Sequence, residues 1–281
     1  MKFFFKLCLL FFFIVACSYE PNSNINSNRL NEIDNLINSF IDDNQIPGAV
    51  VLVGDNKNIL YQKSFGIKNP ITNDKYQIND IFRIASMTKA ITSIGVIKLW
   101  EKGKIGLDDP IEKYIPEFKN VQILDSYNKK DTTYSTIQTS KSITIRQLLT
   151  HTSGIGYGFI DGNPSIKSIY HKEKEKFMKY GVLCFCDQDI TIGETIRNLA
   201  KVPLHHNPGE RYTYGIGLDV LGYLIEIISG KTLDKYFYDE IFQPLEMNDT
   251  YFYLPENKYD RLVPVLTKKN NKWVMFEDKR F

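Results

Sequence analysis

The chain has 281 residues, 43% of them hydrophobic, which is enough apolar material for one large domain or two modest ones. Its formal net charge is only +2. The basic residues are scattered or interleaved with acidic ones, as in residues 171–180, which read as a solvated helix face. Nothing in this pattern points to nucleic acid or to an acidic partner.

The N-terminus has the pattern of an export signal. Lys2 and Lys6 form a basic start, and the apolar run that follows is short for a membrane span. The run ends in Ile-Val-Ala-Cys at Cys17, which resembles the bacterial lipobox. This resemblance implies cleavage before Cys17 and attachment of lipid to its thiol; ordinary signal cleavage beside an incidental cysteine is the alternative. We assign residues 1–17 to a lipoprotein signal peptide and residues 18–29 to a polar tether.

The residue after the cysteine bears on localisation. Ser18 follows Cys17, and no Asp is there to favour retention at the inner membrane. We therefore expect an exported bacterial lipoprotein in the cell envelope, anchored in the outer membrane by lipid and facing the periplasm.

Cysteine and histidine give no metal pattern. After Cys17 the chain holds Cys184 and Cys186, which do not make a disulfide framework, and no second pair of ligands has a matching spacing. His205 and His206 are adjacent and cannot readily imitate a ligand pair on a helix. We expect neither a metal site nor a cofactor.

The first elements along the chain are a helix and a hairpin. Apolar residues at helical spacing predict a helix over residues 30–43. Two β-rich runs, 49–53 and 59–65, are separated by turn residues and predict a hairpin. This order indicates a helix packed on an antiparallel sheet.

From residue 84 the pattern is mostly helical. Residues 121–142 are polar and predict a loop, and residues 262–266 and 272–277 flank a turn and predict a second hairpin. Gly230 is the expected residue just after a strongly apolar helix. The predicted helices are 84–101, 143–156, 190–204, 217–230 and 232–247.

A serine and a lysine stand together at the start of the first of these helices. Lys89 follows Ser86 by three positions, so the two side chains lie on one helix face. Among apolar side chains the amine loses hydration, its pKa falls, and it can take the serine proton. A capping serine beside a surface lysine is the alternative. A second S-x-x-K, Ser126 to Lys129, lies in the polar segment with no apolar helix beside it, and we expect no chemistry there.

Four blocks then carry a family resemblance. The blocks are residues 82–118, 143–155, 203–230 and 241–253. In this order they resemble the serine β-lactamase and penicillin-binding-protein superfamily, and most closely its class C β-lactamase and esterase branch. The resemblance implies an α/β (α+β), β-lactamase/transpeptidase-like fold, in which a helical domain is inserted in an antiparallel sheet flanked by helices. It divides residues 30–281 into an α/β part to 85, a mainly helical part to 235, and the start of a return to the sheet.

The resemblance also implies an active site. Ser86 is the nucleophile, Lys89 its partner, and Tyr214 the residue that shuttles protons to the leaving group. Many relatives carry Asn two residues after this tyrosine, where Ile216 stands here. This difference favours an esterase-like or peptidase-like role over a dedicated β-lactamase.

A third motif of the family, a Lys or His, a small residue and a Gly on a late strand, has no credible copy in these residues. We expect a family member lacking its C-terminal third, with an incomplete sheet, an exposed strand edge and a possible separate chain supplying the missing strands.

Two functions of different classes follow. The first is a serine hydrolase whose acyl-enzyme forms on a small ester, a β-lactam or a D-amino-acid, peptidoglycan-like peptide. The second is an inactive fragment or an envelope protein that binds such ligands. A Ser-His-Asp triad on an α/β-hydrolase fold fails, because the sequence has no G-x-S-x-G elbow. His151 is expected to be a structural residue of its turn.

Overall fold

The computed structural model describes residues 27–177 and 191–276. The signal peptide, the lipobox with Cys17, and the pair Cys184 and Cys186 lie outside the described residues. The described chain forms two compact units. One is built from residues 27–80 and 264–276, and the other from the residues between those two stretches. The domain boundaries proposed after residues 85 and 235 stay predictions.

Helices and small antiparallel sheets make up the described chain, which is the α/β class expected. None of its helices is both long enough and apolar enough to cross a membrane. The helices are α1 (Ser27–Asp42), α2 (Thr88–Glu101), α3 (Ile145–Leu149), α4 (Pro164–Phe177), α5 (Ile192–Leu199), α6 (Gly217–Ser229) and α7 (Leu233–Phe237). The strands are β1 (Gly48–Gly54), β2 (Ile59–Asn69), β3 (Asp74–Lys75), β4 (Gln122–Tyr127), β5 (Tyr134–Gln138), β6 (Leu266–Lys269) and β7 (Lys272–Met275).

The first unit contains α1 and the sheet β1-β2-β3, in which each neighbouring pair is antiparallel. The predicted helix and hairpin are confirmed. The turn between β1 and β2 is organised by Asp55, whose carboxylate accepts the backbone N–H groups of Lys57 and Asn58, each at 2.7 Å. Gly66 has φ +77°, and a Cβ there would lie 2.3 Å from the Pro47 carbonyl oxygen, so only glycine fits. In the described residues β1 forms one edge of this sheet.

The same unit contains the hairpin β6–β7, so a second hairpin is present as predicted, but its first strand begins at Leu266 rather than at residue 262. Its turn residues, Asn270 and Asn271, have φ values of 50° and 61°. A two-residue turn with both φ values positive matches the twist of the flanking strands, and asparagine tolerates that backbone. Asn44 donates to the Asn271 carbonyl oxygen at 2.7 Å and ties the turn to the residues after α1.

The second unit is organised around α6. Val220, Leu221, Leu224 and Ile225 of this helix are fully buried, and α2, α3, α5 and α7 pack against it. The helix ends at Gly230, whose φ of 68° makes it the left-handed terminating residue that the sequence predicts.

The prediction of a loop over residues 121–142 is wrong. The segment contains the antiparallel hairpin β4–β5, with Ile123 opposite Ile137. Its strands, QILDSY and YSTIQ, mix Tyr, Ile and Leu with Gln, Ser and Asp without regular alternation, so their composition resembles that of a loop. Ser126 therefore lies on a strand, where its hydroxyl contacts Ser135 at 2.7 Å, and Lys129 is exposed.

Three predicted helices are shorter than expected, and the one predicted over residues 190–204 is α5, Ile192–Leu199. α3 ends at Leu149 because the chain turns left-handed at His151, where φ is 54°, and again at Gly154. The helix predicted over residues 232–247 divides into α7 and a π-helical turn, Tyr238–Phe242. The charged run from residue 171 is helical through Phe177, and its remainder lies outside the described residues.

Candidate active site

Ser86 sits in a strained turn at the start of α2. The residues before α2 form a 3₁₀ turn, Ala85–Met87, rather than the first turn of a regular helix. Ala85 has φ 44°, a left-handed conformation that is uncommon for a residue with a Cβ and that costs energy. Ser86 is exposed and lies next to the N-terminal end of the helix.

Ser86, Lys89 and Tyr214 come together within this unit. Lys89 Nζ donates to Ser86 Oγ at 3.1 Å, and Ser86 Oγ lies 3.3 Å from Tyr214 OH. Lys89 Nζ also lies 5.2 Å from the centre of the Tyr214 ring. The residues named from the sequence therefore form one cluster, although Tyr214 is 128 positions from Ser86 along the chain.

The expected fall in the Lys89 pKa is wrong in this structure. Burial alone would lower it, but the Tyr214 hydroxyl and the negative charge of nearby groups outweigh burial and raise the pKa above its ordinary value. Those groups are Tyr157, Tyr214 and Asp219. The lysine is only partly buried, and neighbouring Met87 is 65% exposed, so the desolvation that the sequence suggested is incomplete.

The pKa of the Tyr214 phenol is shifted in the opposite direction. Its hydrogen bond with Ser86, followed by its interaction with Lys89, lowers the pKa of Tyr214. A lowered tyrosine pKa beside a raised lysine pKa favours an ammonium next to a phenolate. The cluster is thus arranged to supply a phenolate base close to the Ser86 hydroxyl.

Asp219 is the nearby carboxyl group of this cluster. It lies in the first turn of α6, where burial raises its pKa to about 6, while the positive charge of Lys89 opposes that rise. Above this pH its negative charge helps to keep Lys89 protonated.

Sequence reasoning missed Tyr157. Its ring stacks on the Tyr214 ring with centroids 5.2 Å apart and planes 19° apart, and Lys89 Nζ lies 5.5 Å from its centre. The sequence signal is weak: Tyr157 stands between Gly156 and Gly158, just after the block of residues 143–155. Only tertiary packing brings this aromatic ring onto Tyr214.

A buried hydrogen bond between two side chains holds the loop that carries Tyr157. His205 Nε2 lies 2.8 Å from Asp161 Oδ2, and the two side chains are 10% and 4% exposed. The same carboxylate oxygen accepts the Tyr157 backbone N–H at 2.9 Å. Burial would raise the pKa of Asp161, but hydrogen bonds from His205 and from the backbone of Asn163 and Tyr157 hold it below its usual value.

No cluster in residues 27–177 and 191–276 groups three His, Cys, Asp or Glu side chains as a metal ion would need. The family model described as Beta-lactamase matches residues 33–278. The chain belongs to the Beta-lactamase family. It has the α/β, β-lactamase/transpeptidase-like fold.

Two curated members of the family bear esterase names. The chain is 29% identical over 221 residues to Esterase EstB of Burkholderia gladioli, covering 78% of this chain and 50% of that protein. It is 30% identical over 228 residues to the lovastatin esterase of Penicillium rubens, covering 79% of this chain and 52% of that protein. The chain thus spans about half the length of these curated relatives.

Solved structures agree on the Beta-lactamase family fold. The chain superposes on EstCE1, described as a hydrolase with promiscuous acyltransferase activity, with a TM-score of 0.72. The match covers 90% of this chain and 60% of that one at 23% sequence identity. At this identity the likeness concerns the fold.

Proposed function

We propose that this protein is a serine hydrolase that cleaves an ester or an amide through an acyl-enzyme on Ser86. The observation that carries the proposal is that one exposed hydroxyl lies within reach of both an ammonium, at 3.1 Å, and a phenol whose pKa is lowered, at 3.3 Å. A serine becomes a useful nucleophile only when such a base is beside it.

The proposed proton path runs through Tyr214. Ser86 Oγ attacks the carbonyl carbon while the Tyr214 phenolate takes the hydroxyl proton, and Lys89 stabilises the phenolate by its charge. Tyr214 then gives the proton to the leaving oxygen or nitrogen as that bond breaks, which leaves the acyl group on Ser86. Water attacks the acyl-enzyme with Tyr214 again as base, and the proton returns to Ser86 Oγ as the acid departs.

Negative charge forms on the carbonyl oxygen during both attacks. We assign one donor for this oxyanion to the backbone N–H of Ser86. Ser86 lies in the 3₁₀ turn directly before α2, where the dipole of the helix adds a potential that favours negative charge. Removal of one such donor typically costs about a hundredfold to a thousandfold in rate.

An ester is the favoured substrate class. Ile216 stands where many relatives carry Asn, and curated relatives of this chain are named esterases. A β-lactam and a D-amino-acid, peptidoglycan-like peptide are the other substrates that the same chemistry would serve. An inactive envelope protein that binds such ligands is the alternative function.

Intact mass spectrometry tests the proposal directly. The chain from Ser18 onward is exposed to a fluorophosphonate and, separately, to a penicillin, and hydrolysis of p-nitrophenyl butyrate is followed in parallel. We expect one fluorophosphonate adduct, mapped to Ser86 and absent from Ser86→Ala. Ser126→Ala is the matched control, because Ser126 belongs to the second S-x-x-K, and it should label fully.

Each outcome of this test decides between the functions. An adduct on Ser86 with ester turnover supports the esterase, and a stable penicillin adduct moves the substrate toward β-lactams. A folded chain that takes no adduct would reject the catalytic proposal in favour of the binding protein.

A further inference from the structure

We propose that His151 is a positioning residue that holds Tyr214 in place and does so only while its imidazole is neutral. The inference rests on the proposed function, since it concerns the base of that reaction. His151 forms hydrogen bonds with the chain on both sides of Tyr214. Its carbonyl oxygen accepts the Thr213 N–H at 2.7 Å, and its Nδ1 accepts the Gly215 N–H at 3.4 Å.

The imidazole also packs directly on the tyrosine. Its ring centre lies 4.8 Å from that of Tyr214, at an interplanar angle of 49°, and 5.8 Å from that of Tyr212, edge to face. The left-handed backbone at His151, with φ 54°, turns the side chain back over this segment as α3 ends. One residue therefore holds the backbone N–H groups of the residues before and after Tyr214 and packs on one side of its ring.

The contact with Gly215 determines the protonation state. A backbone N–H can donate to Nδ1 only if that nitrogen carries no proton, so the ring must be neutral with its proton on Nε2. Protonation of Nδ1 removes the acceptor and adds a positive charge close to Lys89. Burial, followed by the charge of Lys89, lowers the pKa of His151, which keeps the ring neutral at physiological pH.

The charged and titratable neighbours of the ring set the expected pH response. Tyr212 and Tyr214 contact it, and Lys89 acts on it through its charge. Asp219 acts on Lys89 and Tyr214 and has a pKa of about 6, so it changes charge in a similar range. The pKa of His151 lies below its ordinary value of 6.5. Catalysis should therefore weaken as pH falls through this lowered pKa.

Two substitutions separate the acceptor from the titration. In His151→Asn the amide oxygen can take the place of Nδ1, asparagine tolerates a positive φ, and the side chain does not titrate. We expect kcat near that of the native protein at pH 8 and a shallower fall in kcat/KM below pH 6.5. His151→Ala removes the acceptor and should lower kcat by about tenfold to a hundredfold, with KM little changed, because a displaced base reacts poorly.

The matched control is His171→Asn, at an exposed histidine on α4, which should leave the pH profile unchanged. Equal kcat and identical pH profiles in the native protein, His151→Asn and His151→Ala would overturn the inference. A loss of kcat/KM on acidification that occurs in the native protein and not in His151→Asn would assign the titration to His151. Asp219 is present in both proteins, so it could not account for that difference.

An activity-independent measurement separates this inference from the proposed function. The Gly215 amide is followed by ¹⁵N NMR from pH 8 to pH 5 in the native protein and in His151→Asn. We expect its resonance to titrate in the native protein alone. If it titrates while Ser86 takes no adduct, the proposed hydrolase fails and the hold of His151 on this segment stands. A Gly215 resonance that does not respond to pH would overturn the inference even in an active enzyme, and this readout also decides the matter if His151→Ala does not fold.

Discussion

Ser86 has two polar neighbours, and their unequal charge states assign them different tasks. The pKa of Lys89 is raised and that of Tyr214 is lowered, so the lysine stays protonated where the tyrosine begins to lose its proton. The residue that accepts the Ser86 proton is therefore Tyr214 in our proposal. Lys89 provides the positive charge that makes a phenolate possible in this place.

Removal of the phenol oxygen should remove the base without disturbing the ring contacts. For Tyr214→Phe we expect kcat/KM for an aryl ester to fall by about a hundredfold to ten thousandfold, the range typical of general acid–base catalysis. Tyr212→Phe is the control, because Tyr212 is 64% exposed and has no polar contact with Ser86. Equal loss in both variants would contradict the assignment of Tyr214.

The pH dependence of kcat/KM should depend on the positive charge of Lys89. In the native protein kcat/KM should rise with pH and level off at the lowered pKa of Tyr214. Lys89→Met removes the ammonium, so the pKa of Tyr214 should move up toward its ordinary value of 10.0 and the plateau should be reached at higher pH. A titration of phenolate absorbance at 295 nm checks the direction. A plateau that moves to lower pH would refute the role given to Lys89.

Among the elements, the loop from Gly154 to Asp161 has the most influence on the site. It carries Tyr157 against Tyr214, and its anchor is the pair of Asp161 and His205. The loop is short and rich in glycine, so its conformation depends on that carboxylate rather than on a regular helix or strand. Stability of this element and geometry of the site are therefore linked.

Asp161→Asn should destabilise the protein by about 2 kcal/mol, since it removes a buried carboxylate that is hydrogen-bonded to His205 and to the Tyr157 backbone N–H. Urea unfolding at pH 7 measures the change. The pKa of Asp161 is lowered in the folded state, so its contribution is present above the ordinary value of 3.8 and is lost as pH falls through the folded value. The difference from the native protein should therefore shrink in strong acid. Asp108→Asn, at a solvent-exposed pair with Arg146, should change little, and an equal effect there would contradict the argument.

Several elements could be predicted because local pattern and tertiary environment agree. The apolar sequence of α6 matches the burial of most of its residues, and Gly230 ends it as its backbone requires. The hairpin β4–β5 could not be recognised, because its strands expose most side chains and carry the composition of a loop.

The site divides in the same way. The spacing of Ser86 and Lys89 follows from one helix turn, and Tyr214 follows from the family resemblance. The contact of Tyr157 with Tyr214 and the raised pKa of Lys89 depend on residues that meet only in the folded chain. Desolvation in particular cannot be read from the apolar character of neighbours along the sequence.

At the scale of the whole molecule, the proposed catalytic groups are exposed or partly buried, while the helix beside them has a fully buried face. Tyr214 is 39% exposed, yet Val220 and Leu221 in the following helix have no exposure. Close-packed interiors resist displacement, so a site attached to such a helix is held in position without being shielded from substrate.

The proposed lipid anchor also belongs to this scale. Expression in a bacterial host with a lipoprotein pathway should place the chain in the membrane fraction and incorporate labelled palmitate. Cys17→Ala should abolish the label and release the mature protein, because the thiol that carries the lipid is gone. A chain that is cleaved and stays soluble with Cys17 intact would point instead to ordinary signal cleavage.

The left-handed backbone at Ala85 has a consequence for how this protein tolerates change. Ala85→Gly relieves about 1 to 2 kcal/mol of steric cost, while glycine's added freedom in the unfolded chain costs about 0.5 to 1 kcal/mol. Thermal unfolding should hardly register the difference, whereas acylation of the adjacent Ser86 should slow because the turn loses its rigidity. Measurements of melting temperature across variants would therefore not identify this position, whereas measurements of turnover would. Loss of a single methyl group would then slow the reaction while leaving the protein folded and abundant, so that cellular quality control would not remove it.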